Sequence, residues 1–295
     1  MNVPAESNAG IVVAAHGRRG VIETQAGERA YVVSGRQLRP VCGDRVRWCE
    51  QARSPEALLT GIEDRRNSLA RWHERSGRAE TIAANVDRIL IVLAAVPAAD
   101  LNLVDRFLCA AELMGCTATI AWNKTDLGGL PADLAREFLG LGYECLAISA
   151  HDVASMNSLR SRLHGKISAL VGQSGVGKSS ILNALIPGTR QNVGDLSAGS
   201  ESGTHTTTAV LMRTVPDASG ARILDTPGVR SFLPATAADR TVARGFPEIY
   251  RLSPDCHFAD CRHHQEPRCA VKDALQSGAI TQRRYASYLQ LAGLR

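Results

Sequence analysis

The stretch Gly172-Gln173-Ser174-Gly175-Val176-Gly177-Lys178-Ser179 decides the fold of this chain of 295 residues. It matches the phosphate-loop pattern G-x-x-x-x-G-K-[ST], between a strand-like apolar run at 167–171 and a helix-like run at 179–186. Glycines let successive backbone N–H groups turn toward phosphate oxygens, and the helix N terminus adds a partial positive charge. Lys178 is expected to reach the β and γ phosphates, and the Ser179 hydroxyl to bind Mg²⁺. The alternative is a glycine-rich turn that binds no ligand.

Length and composition are those of a globular protein with more than one domain. The chain is 44% hydrophobic, and it has no apolar run near the ~18 residues of a membrane-spanning helix. Its N terminus lacks the basic-then-apolar order of a signal peptide, so we expect a cytoplasmic protein without a membrane partner. The net charge of +5 permits a nucleic-acid partner without requiring one. We expect the protein to be a monomer.

Residues 1–65 have the pattern of a small all-β domain. Turn-forming positions separate five short strand-like runs, at 10–15, 20–23, 30–34, 44–49 and 58–62. A five-stranded oligonucleotide-binding (OB) barrel has this size, and such barrels commonly bind nucleic acid on one face. Arginines such as Arg45 and Arg47 suit RNA binding, but they fit a solvated barrel surface equally well.

A basic segment at 66–86 is expected to link the barrel to the rest of the chain. Arg71, Arg75 and Arg78 lie close to Trp72, with Glu74 as the acidic residue among them. Arginines interleaved with an aromatic residue can contact phosphates and stack on a base, yet the same composition fits a solvated linker.

From residue 87 strand-like and helix-like segments alternate, which predicts an α/β domain with a parallel sheet over 87–235. The strand-like runs are at 88–96, 117–122, 144–149, 167–171, 209–215 and 222–224, with helical patterns at 103–114 and 132–139. Ligands of such sheets bind beyond the carboxyl ends of the strands. The remaining motifs lie at those ends.

Asn123-Lys124-Thr125-Asp126, directly after the run at 117–122, matches the N-K-x-D motif that reads the base in GTPases. One carboxylate accepts two hydrogen bonds from guanine, and adenine offers neither donor in that arrangement, so Asp126 favours GTP over ATP. The stem of Lys124 can cover one face of the base. Ser149-Ala150 ends the next strand and is similar to the S-A motif, whose backbone N–H meets guanine O6.

Residues 188–208 lack periodicity and are rich in Gly, Ser and Thr, which indicates a mobile loop. It ends in Thr204-His205-Thr206-Thr207-Thr208, where a threonine can close on Mg²⁺ and the γ-phosphate as a first switch. Asp225-Thr226-Pro227-Gly228 is a D-x-x-G motif: Asp225 would hold Mg²⁺ through water and the Gly228 N–H would sense the γ-phosphate. Because N-K-x-D and S-A precede the phosphate loop, the nucleotide site is circularly permuted.

Val229 stands where many GTPases carry the glutamine that orients the attacking water. Valine cannot hydrogen-bond to water. Hydrolysis is therefore slow until a partner supplies the missing group, or another residue serves, and His205 in the mobile loop is the candidate.

The C-terminal segment, 236–295, carries the spacing Cys256-x4-Cys261-x-His263-x5-Cys269. Three thiolates and one imidazole fill a tetrahedral structural Zn²⁺ site, and in a cytoplasmic chain disulfides are improbable. His257 and His264 are alternative ligands to His263. Helical patterns at 271–277 and 281–291 complete the module. We expect four of their residues to form an RNA-facing surface: Arg283, Arg284, Tyr285 and Tyr288.

Together these features resemble one bacterial family, the ribosome small-subunit-dependent GTPase A family. The resemblance covers almost the whole chain and rests on the barrel, the permuted motif order, the loop at 172–180, the His-Thr-Thr-Thr switch and the zinc module. It implies a late assembly factor that binds the 30S subunit and its 16S rRNA, hydrolyses GTP when bound, and is then released. It also implies that His205 is catalytic and Thr207 is the switch threonine that binds magnesium.

The predicted GTP site comprises Asn123, Lys124, Asp126, Ser149, Ala150, Gly172, Gln173, Ser174, Gly175, Val176, Gly177, Lys178, Ser179, Ser180, Asp225 and Gly228. Of three other classes of function, one, a zinc-dependent hydrolase, conflicts with a metal site whose four positions are all filled by protein ligands. Asp126 disfavours an ATPase or small-molecule kinase. A nucleotide-gated RNA-binding scaffold with negligible turnover stays open because of Val229.

Overall fold

A computed structural model describes residues 7–35, 37–73, 77–188, 210–226, 234 and 242–294. In chain order these residues form a β-barrel, a hairpin, an α/β unit built on a mainly parallel sheet, and a small helical module. The predicted fold class is confirmed. Among the described residues, no helix is long and apolar enough to cross a membrane.

The barrel consists of β1 (Asn8–His16), β2 (Arg19–Thr24), β3 (Gly27–Val33), β4 (Arg45–Gln51) and β5 (Ser54–Ile62). The strands pair in the order β1-β2-β3-β5-β4, and β4 pairs back to β1, which closes the barrel. Alternate side chains point inward, because successive residues of a strand face opposite sides. Val12, Ile22, Tyr31, Val46 and Leu59 fill the interior and are each at most 1% exposed.

The segment 66–86, predicted to be a linker, instead forms a hairpin of β6 (Ser68–His73) and β7 (Arg78–Ala84). Leu69 and Ala83 are buried against the core of the α/β unit, and Arg71 pairs across the strands with Glu80 at 2.8 Å. The prediction of a linker is wrong. The high arginine content of this segment obscured the apolar residues that form one face of its strands. Cross-strand pairing gives an arginine a partner that composition does not reveal.

The described part of the α/β unit contains four helices. Its elements are β8 (Arg88–Ala94), α1 (Leu101–Met114), β9 (Thr117–Asn123), α2 (Ala132–Gly140), β10 (Glu144–Ala147), α3 (Val153–Leu163), β11 (Ile167–Val171), α4 (Lys178–Leu185), β12 (Leu211–Thr214) and β13 (Arg222–Asp225). The strand order is β10-β9-β8-β11-β13-β12, parallel except for β12. Helices α1 and α2 pack on one face of the sheet and α3 and α4 on the other. The carboxyl ends of the parallel strands therefore meet at one edge.

Helix α3 is the element of this unit that the sequence pattern did not predict. Its buried side chains are Met156, Leu159 and Leu163, and the remaining positions are mostly serine, asparagine and arginine. A narrow apolar stripe in a polar segment gives little periodicity, although Asp152 caps the helix by accepting a hydrogen bond from the Ser155 N–H at 2.8 Å.

The barrel attaches to the α/β unit along β12. Ala14 of β1 lies opposite Leu211, and the Cys42 thiol donates to the carbonyls of Val13 and Val210 at 3.2 and 3.0 Å. Arg222, at the start of β13, forms two hydrogen bonds with the Glu23 carboxylate. The barrel thus contacts β12, which follows the predicted first switch, and β13, which ends at the D-x-x-G motif.

The C-terminal module contains α5 (Pro247–Leu252), α6 (Ala270–Gln276) and α7 (Gln282–Leu291), with short 3₁₀ turns at Ala243–Gly245 and Ser253–Asp255. Helices α6 and α7 were predicted and α5 was not, since six residues carry no usable periodicity. The core of the module is made by α6 and α7 together with Phe246 and Ile249.

The prediction of an RNA-facing surface on α7 is wrong. Arg284, Tyr285 and Tyr288 are 1%, 7% and 2% exposed. Arg284 donates to both carboxylate oxygens of Glu248 and to Asp105 of α1. Arg284 attaches the module to the α/β unit through Asp105, because a buried guanidinium requires carboxylate partners within the protein.

Candidate nucleotide site and metal centre

The phosphate loop joins β11 to α4 and has a backbone that only glycine tolerates at two positions. Gly172 and Gly177 have φ values of +139° and +96°. A Cβ atom would lie 2.4 Å from the Val92 carbonyl oxygen at Gly172 and 2.3 Å from the Asn123 side-chain amide at Gly177. These contacts leave no room for a side chain, so the loop folds against the ends of its neighbouring strands.

Lys178 lies at the first position of α4, and its ammonium group bends back over the loop. Nζ donates to the carbonyls of Gly172 and Gln173, both at 2.7 Å. Val176 is fully buried in the core between the sheet, α3 and α4, and this burial anchors the loop to the core. Ser179 and Ser180 follow in the first turn of α4, where backbone N–H groups lack intrahelical partners. This arrangement can bind phosphate groups.

Asn123 connects the three loops of the site. Its Nδ2 donates to the Val176 carbonyl at 2.9 Å, and its Oδ1 accepts from the Ala150 N–H at 3.2 Å. Lys124 has φ +59°, and its Nζ donates to the carbonyls of Gly175 and Val96 at 2.7 and 2.9 Å. The N-K-x-D, S-A and phosphate-loop sequences, far apart in the chain, therefore form one site at the carboxyl edge of the sheet.

Asp126 is oriented by Ser149, whose hydroxyl donates to Asp126 Oδ1 at 2.9 Å. The Ser149 N–H in turn donates to the Ser155 hydroxyl at 3.0 Å. Ser155 lies in the first turn of α3, which Asp152 caps. A carboxylate held in this way has a fixed direction for accepting hydrogen bonds. Sequence reasoning missed Ser155, although Asp152 is a residue type favoured at helix N-caps and so could have indicated the start of α3.

Asp225 ends β13 next to the strand that precedes the phosphate loop, with Leu170 of β11 as its register partner. The Thr226 hydroxyl donates to the Leu170 carbonyl at 2.8 Å and is buried. Asp225 therefore lies at the same edge as the loop. His205, Thr207, Gly228 and Val229 fall outside the described residues, and their predicted roles stay predictions.

Cys256, Cys261, His263 and Cys269 form a compact cluster whose ligand atoms all lie within 4.8 Å of one another. The alternatives to His263, His257 and His264, are not among the residues of this cluster, and the His257 Nε2 is instead 2.8 Å from the Arg268 guanidinium. Nδ1 of His263 faces the cysteines, while Nε2 is 3.0 Å from the Ser253 hydroxyl. A second partner on the far nitrogen is typical of metal-binding histidines.

The cluster has the dimensions of a tetrahedral zinc site. Zn–S and Zn–N bonds of about 2.3 and 2.05 Å give separations of about 3.8 Å between sulfurs and about 3.6 Å between sulfur and nitrogen. Cys256 and Cys269 are 3.8 Å apart at sulfur, and their sulfurs lie 3.4 and 3.5 Å from His263 Nδ1. The residues present therefore fit a divalent metal with four protein ligands.

Protonation in this cluster depends on the metal. Burial raises the pKa of the Cys261 thiol to about 12, and burial lowers the pKa of His263 below its ordinary value. A neutral imidazole suits metal binding, whereas the thiols need a cation to displace their protons.

Two tyrosines of α7 hold the loop that carries His263: Tyr285 donates to the His263 carbonyl at 2.6 Å and Tyr288 to the Arg262 carbonyl at 2.9 Å.

Comparisons with known proteins agree with this geometry. The family model described as RsgA GTPase matches residues 62–233. "Small ribosomal subunit biogenesis GTPase RsgA" of Azotobacter vinelandii is 40% identical over 290 residues, which is 95% of this chain and 83% of that protein. The protein of the same name from Ectopseudomonas mendocina is 39% identical over 289 residues, with the same coverage.

Two solved structures share the architecture. YjeQ from Thermotoga maritima superimposes with a TM-score of 0.74 at 28% identity, covering 98% of this chain and all of that one. YloQ, described as a circularly permuted GTPase, gives a TM-score of 0.70 at 25% identity, covering 99% and 96% of the two chains. The chain belongs to the RsgA GTPase family and is a circularly permuted, GTP-hydrolysing enzyme.

Proposed function

We propose that this protein is a late assembly factor of the small ribosomal subunit, which binds the 30S particle in the cytoplasm and hydrolyses GTP there. The observation that carries the proposal is the single site in which the phosphate loop, Asn123 and the Ser149–Asp126 pair meet. The name of the Azotobacter vinelandii relative, 40% identical over 95% of this chain, supports the ribosomal partner.

In the proposed complex with GTP, the Asp126 carboxylate accepts hydrogen bonds from guanine, and the stem of Lys124 covers the base. The Ala150 N–H, which donates to Asn123 at 3.2 Å, turns toward guanine O6. The loop 172–180 holds the phosphates through its backbone N–H groups and Lys178. Ser179, Thr207 and Asp225 hold Mg²⁺, which neutralises phosphate charge during transfer, and the Gly228 N–H contacts the γ-phosphate.

We propose that His205 orients the attacking water, since Val229 offers no hydrogen bond. A catalytic group in a switch loop requires that loop to close, so the 30S subunit would accelerate hydrolysis by fixing the loop. Hydrolysis would then release the protein. The alternative, a scaffold with negligible turnover, shares the nucleotide site and differs only in this step.

The metal proposed for Cys256, Cys261, His263 and Cys269 is one structural Zn²⁺, because four protein ligands leave no open position for chemistry. We further propose 16S rRNA as the ligand of the barrel, where Arg19, Arg45 and Arg47 are exposed. The proposed domain limits are 1–65 for the barrel, 87–235 for the GTPase unit and 236–295 for the zinc module. The hairpin at 66–86 belongs with the GTPase unit, against whose core Leu69 packs.

Co-sedimentation with purified ribosomal subunits tests the partner. The protein is expected to pellet with 30S subunits in the presence of a non-hydrolysable GTP analogue and to stay in the supernatant with GDP. The 50S subunit serves as the control for nonspecific attraction of basic surfaces to RNA. Equal retention on both subunits, or retention that ignores the nucleotide, would contradict the proposal.

A further inference from the structure

The second residue of the phosphate loop binds a separate segment of the chain through its side chain. We call residues 96–100, between β8 and α1, the flanking loop. Gln173 Nε2 donates to the Ala98 carbonyl at 2.7 Å, and Gln173 Oε1 accepts from the Asp100 N–H at 2.8 Å. A carbonyl and an N–H require opposite partners, and one carboxamide group supplies both. The side chain is therefore engaged at both ends with backbone.

Two further contacts join the flanking loop to the phosphate loop. Lys124 Nζ donates to the carbonyls of Val96 in the flanking loop and Gly175 in the phosphate loop. A Cβ atom at Gly175 would lie 3.4 Å from the ring of Pro97, so the two loops are in close contact there. The flanking loop thus meets the phosphate loop at two positions, Gln173 and Gly175.

The far side of the flanking loop is fixed to the rest of the protein. Asp100 caps α1 by accepting from the Leu103 N–H at 3.0 Å. Helix α1 carries Asp105, fully buried, which binds Arg284 of α7 at 2.9 Å. The flanking loop therefore leads into a helix that a buried ion pair fixes to the rest of the protein. Such a loop is a rigid support.

We propose that Gln173 is a positioning residue that holds the phosphate loop in its binding conformation by tying it to the flanking loop. The inference rests on the proposed nucleotide site. The Gln173 side chain binds the flanking loop, whereas the backbone of the phosphate loop binds the phosphates. Because the loop contacts the nucleotide both before and during hydrolysis, losing the tie weakens GDP and GTP binding by the same factor, and any change in kcat at saturating GTP is smaller than the change in affinity.

The test compares Gln173→Met with Gln51→Met. Methionine keeps the length and removes both hydrogen bonds. Gln51 also bonds a backbone carbonyl, that of Glu56 at 3.0 Å, but in the barrel. Displacement of a fluorescent GDP analogue is expected to show about tenfold weaker binding for Gln173→Met, as expected for two lost hydrogen bonds, and wild-type binding for Gln51→Met. Both variants are expected to unfold at similar temperatures without nucleotide.

Affinity of Gln173→Met within about twofold of wild type would overturn the proposal. So would an affinity loss accompanied by a larger fall in unfolding temperature than Gln51→Met shows, because the side chain would then be a general stabiliser. A change in kcat as large as the change in affinity would also contradict it. The readout needs no ribosome, so a wild-type protein that binds no GDP would refute the proposed function instead.

Discussion

Removing Arg284 should loosen the C-terminal module more than any exposed arginine can. Arg284 is 1% exposed and lies between Glu248, which it contacts at 2.7 and 3.1 Å, and Asp105, which it contacts at 2.9 Å. Arg284→Met fills similar space but removes the guanidinium that Glu248 shares with Asp105, while Asp105 keeps its ion pair with Arg283. Losing one partner of a buried ion pair costs about 3–5 kcal/mol. The lost stabilisation weakens the contact between α7 and α1.

Native-state hydrogen exchange of the α7 amides measures that contact. Since ~1.4 kcal/mol is a tenfold change, protection in α7 should fall about a hundredfold or more. Arg136→Met is the matched control: its partner is Asp133, and the two side chains are 78% and 91% exposed, so its effect should stay within about 0.5 kcal/mol. A fall of less than about fivefold for Arg284→Met, or an equal fall for both variants, would refute the reasoning.

Other substitutions test the remaining parts of the molecule. Asp126→Ala should weaken GTP binding about a hundredfold or more, because two charge-assisted hydrogen bonds are lost, with ATP affinity unchanged in a competition assay; equal loss for both nucleotides would contradict the guanine role. Gly177→Ala should abolish GDP binding, since the new Cβ meets Asn123, whereas Gly142→Ala, at a similar φ of +93° in open space, should lower stability by only about 1–3 kcal/mol and bind GDP normally. Cys261→Ser should reduce bound zinc below one per chain, by atomic absorption, and leave GDP affinity intact. The wild type should retain zinc less well as pH falls, because protons compete for thiolates; retention that ignores pH would count against the cysteine ligands.

Elements with strong periodicity or fixed motif chemistry could be predicted from the sequence. The barrel strands, the strands of the α/β unit and α1 lie within a few residues of their predicted positions. The grouping of the Cys/His cluster was likewise predictable, because ligand type and spacing depend on the metal rather than on distant packing.

Features that depend on distant partners could not be predicted. The burial of Arg284 requires Asp105, 179 positions away, so its sequence neighbourhood suggested a surface. Gln173 was predicted only as a residue of the GTP site, and the backbone groups that its side chain binds, in Asp100 and Ala98, lie 73 and 75 positions away. The 66–86 hairpin was hidden for the same reason, since its apolar face is completed by α1 and the sheet.

The central claim, a GTPase activated by the small ribosomal subunit, is tested most directly by GTP turnover with and without purified 30S subunits. We predict that 30S subunits raise the rate at least about a hundredfold and that 50S subunits do not. His205→Ala should lose most of that gain while binding GTP as the wild type does, as expected for a group that handles the attacking water. A rate that 30S subunits leave unchanged would contradict the claim and favour the nucleotide-gated scaffold.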